Sequence, residues 1–255
     1  MRKYLETARL AALEKINAGI LYLLPDILIK IVTLIPLVFM WRVIITSGAR
    51  VEMSLGQMLA YAYASSILSE MLVVRTAASG WLSEGVLMTL YSRPMSVLGQ
   101  LAAQTVGGWV PMLAFFSLPM ALIAPVFGVR LVPASPFFVL SLALCVSLGF
   151  AVDALFACLS IKLRNMNWLI GRIHLAITAV LSGTVIPIGL LPYGIAGAMK
   201  YQPFASLGGA PLGIFTGVAD VRETILIQII WNAALWPAAL LAFKKSQEGI
   251  VSYGG

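Results

Sequence analysis

Apolar residues run along this chain in long blocks without strict alternation, and short stretches between the blocks carry most of the charge. Blocks of about 20 apolar residues match a helix that crosses a bilayer. Counted that way, the pattern predicts six spanning helices, at roughly 27–46, 55–74, 97–126, 136–159, 170–191 and 224–243. The missing period-2 alternation argues against a membrane barrel. The second block opens on Ser54-Leu-Gly-Gln57, a capping-box pattern in which serine and glutamine satisfy each other's backbone donors. The third block carries Pro111, Pro119 and Pro125 and is expected to kink.

Two stretches depart from the simple pattern. Residues 1–25 are mixed, with Tyr4, Leu5, Ala8, Ala11, Ala12 and Ile16 at helical spacing and Arg2, Lys3, Glu6, Arg9 and Glu14 between them. That is the pattern of an amphipathic helix lying at an interface, whereas a cleavable signal would have a purer apolar centre and a small-residue cleavage site. Pro25 and Asp26 then predict a break before the first span. The other departure is LSGTVIPIGLLPYGIAGAMKYQPF, residues 181–204, which is apolar yet broken by Pro187, Pro192 and Pro203 with glycines between them.

Composition fixes the class. Sixty percent of the residues are hydrophobic and only 11% are charged, against about half and about a quarter in soluble domains. The expectation is an all-α integral membrane protein with one domain. Charge then orients it. With the N-terminus cytoplasmic, the inner segments carry Arg2, Lys3, Arg9, Lys15, Arg75, Arg93, Lys162, Arg164, Arg172, Lys244 and Lys245. The outer ones carry only Arg42, Arg50, Arg130, Lys200 and Arg222. This positive-inside bias predicts a multi-pass protein of the cytoplasmic (inner) membrane with both termini inside. The net charge of +7 thus reflects topology, and a soluble basic face for nucleic acid is missing.

Candidate chemistry is sparse. No phosphate-cradling GxxxxGK[ST] run and no HExxH occurs, so no catalytic residue, metal or cofactor is expected in this chain. Cys145 and Cys158 fall thirteen residues apart in one apolar block, about 20 Å along a helix and beyond disulfide reach. His174 has no evident partner. Ionisable groups at depth are costly and so informative: Asp153 in the fourth block and Glu70 near the inner end of the second are the two candidates for proton coupling, while Asp26 and Lys30 are spaced to pair on one helix face. Gln57, Tyr61 and Ser65 form an i+4 row on the second helix, and Thr178 and Ser182 another on the fifth. Helix packing accounts for such rows, and so does the lining of a translocation pathway.

The run WLSEGVLMTLYSRPMSV, residues 81–97, resembles the first cytoplasmic loop of type-2 ATP-binding-cassette (ABC) exporter permeases, through Gly85, Leu90, Arg93 and Pro94. LSGTVIPIGLLP resembles the outer-leaflet signature of the same branch, and the likeness continues through Gln202-Pro203-Phe204, Pro211, Gly217, Gln228, Trp231 and Gly254-Gly255. One departure is Leu155-Phe156-Ala157, where an aromatic pair is the family's pattern.

The resemblance implies a permease subunit without a nucleotide-binding domain. It would pair with a second permease, identical or paralogous, and rest on a cytoplasmic ABC ATPase that holds ATP and Mg. Residues 1–25 would be the elbow helix. The loop 75–97 would hold a coupling helix contacting the ATPase through Glu84, Gly85, Leu90, Arg93 and Pro94. Residues 187–222 would re-enter from the outer side as short helices, with Pro187, Pro192 and Tyr193 at an outer gate. The rival expectation is a proton-coupled secondary transporter using Asp153 and Glu70.

Overall fold

In a computed structural model, residues 1–47, 53–76, 90–163, 166–191 and 194–251 are described, and among them every regular element is helical. The first helix, α1 (Arg2–Asn17), ends at Gly19, whose φ of 88° only glycine adopts cheaply. Helix α2 (Ile20–Thr46) follows directly. The break therefore falls six residues before Pro25, which lies inside α2 together with Pro36. A helix already packed on its neighbours absorbs a proline's missing donor as a bend, so the positive-φ glycine decides the boundary.

Helix α3 (Leu55–Ile67) starts with the capping box: Ser54 accepts from the Gln57 N–H and Gln57 Oε1 accepts from the Ser54 N–H at 2.9 Å. It stops at Leu68, and a single turn, α4 (Ser69–Leu72), continues beyond the break. Residues 58–64 of α3 are all buried, so this helix runs through the protein interior. The third block forms α5 (Val97–Met112), a π segment (Leu113–Ser117), α6 (Leu118–Ile123) and a 3-10 turn (Ala124–Phe127). Pro111 sits at the register change, as its missing N–H requires. The Ser117 hydroxyl there donates 2.6 Å to the Ile67 carbonyl at the α3 break.

Helices α7 (Phe138–Lys162) and α11 (Val221–Val251) form the most extensive contact in the fold. They run parallel, stitched by Ser141–Gln228, Leu144–Asn232 and Ser147–Trp236 hydrogen bonds one turn apart. Ala151, Ala154 and Ala239 let them approach closely. Between them the chain forms α8 (Asn167–Leu181), α9 (Ile195–Met199), a 3-10 turn (Pro203–Ser206) and α10 (Gly209–Thr216). Both cysteines are free and buried.

Among the described residues, four helices are long and apolar enough to cross a membrane: Leu21–Thr46, Val97–Phe127, Phe138–Ser160 and Val221–Ser246. By length and composition they mark a membrane protein. The second and fifth expected spans are shorter, because Leu68 interrupts one and α8 ends at Leu181. That end is set ahead of Pro187 by Gly183, which takes φ 76° just past the cap residue Ser182.

Helix α1 packs lengthwise on α5, from Tyr4 at Ser96 (3.2 Å) to Lys15, whose Nζ donates 3.1 Å to the Gly108 carbonyl. At Gly107 a Cβ would stand 2.0 Å from the Ala8 carbonyl oxygen. Replacing Gly107 with Leu is expected to push α1 off α5 and cost about 1–3 kcal/mol or more, whereas Gly56→Ala, with open space around it, is expected to be neutral or better. Thermal unfolding of both variants in detergent checks this.

Candidate functional site

Segment 182–217 leaves regular helix several times, and each exposed carbonyl needs a donor. The polar row of α3 supplies three of them. Tyr61 Oη donates 2.6 Å to the Gly183 carbonyl, Ser65 Oγ 2.6 Å to that of Thr184, and Gln57 Nε2 3.1 Å to that of Thr216. The Gly209 N–H reaches the Ser182 carbonyl at 2.5 Å, and Gln202 Nε2 caps the end of α8 at the Leu181 carbonyl, 2.7 Å away. Gly183 and Gly209 have to be small, since a Cβ at Gly183 would stand 2.8 Å from Ile188.

These contacts fix the course of the chain. Gly209 lies beside Ser182 near Tyr61 and Ser65, while Thr216 lies beside Gln57, so α10 runs antiparallel to α3. Its eight residues span about 12 Å, the same rise as Gln57 to Ser65. The segment therefore starts at the level of Tyr61 and Ser65, comes back to it at Gly209, and leaves along α10 toward the Leu55 end of α3. From the other side Gln228, fully buried on α11, donates to the Ser206 and Ser141 carbonyls at 2.9 and 3.1 Å and accepts from Ser141 Oγ at 2.8 Å. Trp231 Nε1 donates 2.8 Å to the Tyr201 carbonyl.

Between α3, this segment and α11 lies an open cavity of ≈ 650 Å³, within the range of small-molecule sites. Gln57, Tyr61, Pro187, Ile188, Ala210 and Ile227 are among its walls. Lys200, Asp220 and Glu223 stand at its edge. Lys200 Nζ and Tyr201 Oη both donate to Glu223, at 2.8 and 2.9 Å, and the Glu223 carboxylate, then Tyr201, holds the Lys200 ammonium above its ordinary range. Both side chains of that ion pair are over two-fifths exposed, so it is weak and breakable.

Two further polar clusters lie elsewhere. Lys30 pairs with Glu70 at 2.9 Å, donates to Ser69 Oγ, and lies 5.6 Å over the Phe116 ring. Its partner is thus across the bundle, and Asp26 is exposed. A lysine on a bent, packed helix reaches a carboxylate on a neighbour that shares its desolvated surface, while Asp26 keeps its water. Asp153 accepts from Thr76 and has His174 Nδ1 at 3.8 Å, and the His174 ring stacks on Phe156 at 4.3 Å. His174 is therefore buried against α7, and its partner lies 21 positions back in sequence.

Of the five residues proposed from sequence as pathway lining, Gln57 and Tyr61 border the cavity; Ser65 braces the segment below it. Thr178 and Ser182 are buried between helices, the Thr178 hydroxyl with no partner among the described residues. Pro187 lines the cavity, whereas Pro192 and Tyr193 lie outside the described residues, as do Glu84 and Gly85. Arg93 and Pro94 are exposed. Leu90 is buried with Val97, Leu101, Ala157, Cys158 and Phe243. Sequence reasoning missed Gln228 as the opposing brace and Lys200–Glu223 at the cavity edge. A buried glutamine in a spanning block was the available signal for the first.

No protein-family model matches the chain, and no curated protein does.

The brace makes a quantitative expectation. Tyr61→Phe and Ser65→Ala each leave a buried carbonyl without its donor, at about 0.6–2 kcal/mol each, and Gln228→Leu strands two carbonyls at about 1–3 kcal/mol. Unfolding midpoints in detergent are expected to fall in the order Gln228→Leu most. Midpoints equal to the wild type in all three would remove the brace from the account.

Proposed function

We propose that this chain is the transmembrane permease subunit of an ABC exporter, forming half of a translocation pathway with a second permease and driven by a separate cytoplasmic ATPase that binds ATP and Mg. The observation that carries the proposal is the ≈ 650 Å³ cavity beneath a braced, non-helical segment between α3 and α11. In this proposal the cavity is the outer mouth of the pathway, in a cell inner (cytoplasmic) membrane with both termini cytoplasmic. The segment 187–222 closes the mouth, the exposed Lys200–Glu223 pair being weak enough to part when cargo leaves. Loop 75–97 receives the motion of the ATPase, which does work on the permease only if its nucleotide states bind the two arrangements with different affinity. The charge distribution and the ordered likeness of residues 81–97 and 181–192 to exporter permeases support the assignment.

The proton-coupled alternative draws on Asp153 beside His174. Glu70, its second required carboxylate, is engaged by Lys30, and no group of three or more His, Cys, Asp or Glu gathers among the described residues.

Co-reconstitution with the cognate ATPase tests the proposal. ATP-dependent export is expected from the wild type, and Gly85→Trp or Arg93→Glu is expected to lower it roughly five- to a hundredfold while ATP hydrolysis persists. Unchanged export in both variants, or export driven by a proton gradient without ATP, would refute it.

A further inference from the structure

The chain leaves α4 at Leu72, and Thr76 is where the described stretch ends before residues 77–89. Thr76 is tied across the bundle to α7. Its N–H donates 3.1 Å and its hydroxyl 2.5 Å to the same carboxylate oxygen of Asp153. Asp153 is buried, at 7% exposure, and borders an apolar cavity of ≈ 260 Å³ whose walls include Leu98, Leu101, Phe150, Trp236 and Phe243. The charged or titratable groups near it are His174, with Nδ1 3.8 Å from the other oxygen, and Arg75, the exposed neighbour of Thr76 in the chain.

Burying a carboxylate is costly unless hydrogen bonds compensate. Here two compensating bonds come from one residue, Thr76. A site that required only packing between α7 and its neighbours would be filled by an apolar side chain. The carboxylate instead turns a loop root into part of α7. Helix α7 also packs on α10, which borders the ≈ 650 Å³ cavity, and on α11. It thus touches both Thr76 and a wall of the cavity.

We propose that Asp153 is a positioning residue: it clasps Thr76 so that displacement of the 77–97 loop is carried into α7 and through it to α10 and the cavity. This rests on the proposed function for its coupling role, but the clasp itself does not.

The chemistry of the clasp predicts an unusual ranking of variants. Asp153→Asn keeps a carbonyl oxygen able to accept from both Thr76 donors, whereas Asp153→Ala removes the acceptor. Thr76→Val loses the hydroxyl bond to Asp153 and keeps the N–H one. A proton carrier predicts the reverse, with Asn as defective as Ala.

Two readouts are needed. In the chain alone, reconstituted in nanodiscs, trypsin cleavage after Arg75 is followed by fragment mass. It is expected to accelerate roughly five- to a hundredfold in Asp153→Ala, to an intermediate degree in Thr76→Val, and little in Asp153→Asn. With the ATPase present, ATP-driven export is expected to fall in the same order while hydrolysis continues. Cleavage at the wild-type rate in both Asp153→Ala and Thr76→Val overturns the clasp. Asn as damaging as Ala overturns its hydrogen-bond basis. If Asp153→Ala does not fold, Thr76→Val against Asp153→Asn decides the matter. Faster cleavage in Asp153→Ala and Thr76→Val, with a wild type that exports nothing, refutes the proposed function and leaves the clasp as an anchor for Thr76.

Discussion

A backbone carbonyl that leaves a helix inside a bilayer finds no water, and each one left unpaired costs several kcal/mol. Segment 182–217 leaves helix repeatedly, so the rest of the structure is arranged around supplying it with donors. One side is α3, with Gln57, Tyr61 and Ser65 spaced one turn apart to meet Thr216, Gly183 and Thr184. The other is α11, with Gln228 and Trp231 meeting Ser206 and Tyr201. The interior position of α3 follows from this task. A helix that donates along one face to a buried segment cannot spend that face on lipid, and residues 58–64 are buried throughout.

The brace also explains why charge and polarity sit where they do. Gln228 is fixed by Ser141, and the same seam continues through Asn232 and Trp236, so α11 holds its register against α7 by side-chain bonds to α7 rather than by packing alone. At the α3 break, Ser117 answers the Ile67 carbonyl and Lys30 bridges to Glu70 just beyond it. Polar groups in this fold thus mark the places where backbone geometry departs from a straight helix. That constraint leaves a cavity bordered by small residues, with an exposed ion pair at its edge.

Much of this was legible in the sequence, and what was not has physical causes. The capping box at Ser54 and Gln57 needs only local spacing, and it forms as expected. The i+4 row on α3 was visible too, but its partners lie more than a hundred positions away, and packing or pathway lining explained it equally well. Proline drew attention at Pro25 and Pro187, yet the helices end at glycines with positive φ, Gly19 and Gly183, because a tertiary context tolerates a bend more readily than a side chain in a left-handed backbone. Leu90, placed by spacing on one face of its segment, packs on Val97 and Phe243, contacts that spacing alone does not name. His174 seemed isolated because its partner Asp153 is on another helix.

The central claim is that 182–217 enters and leaves on one face of the membrane, held from within by α3. Single cysteines at Ile195 and Val218, both exposed, and at Leu163 in the turn between α7 and α8, test it by labelling with a membrane-impermeant maleimide from each side in turn. Cysteines at Ile195 and Val218 are expected to react from the same side, and the one at Leu163 from the opposite side. Labelling of Ile195 and Val218 from opposite sides would mean that the segment crosses the bilayer, and would contradict the account.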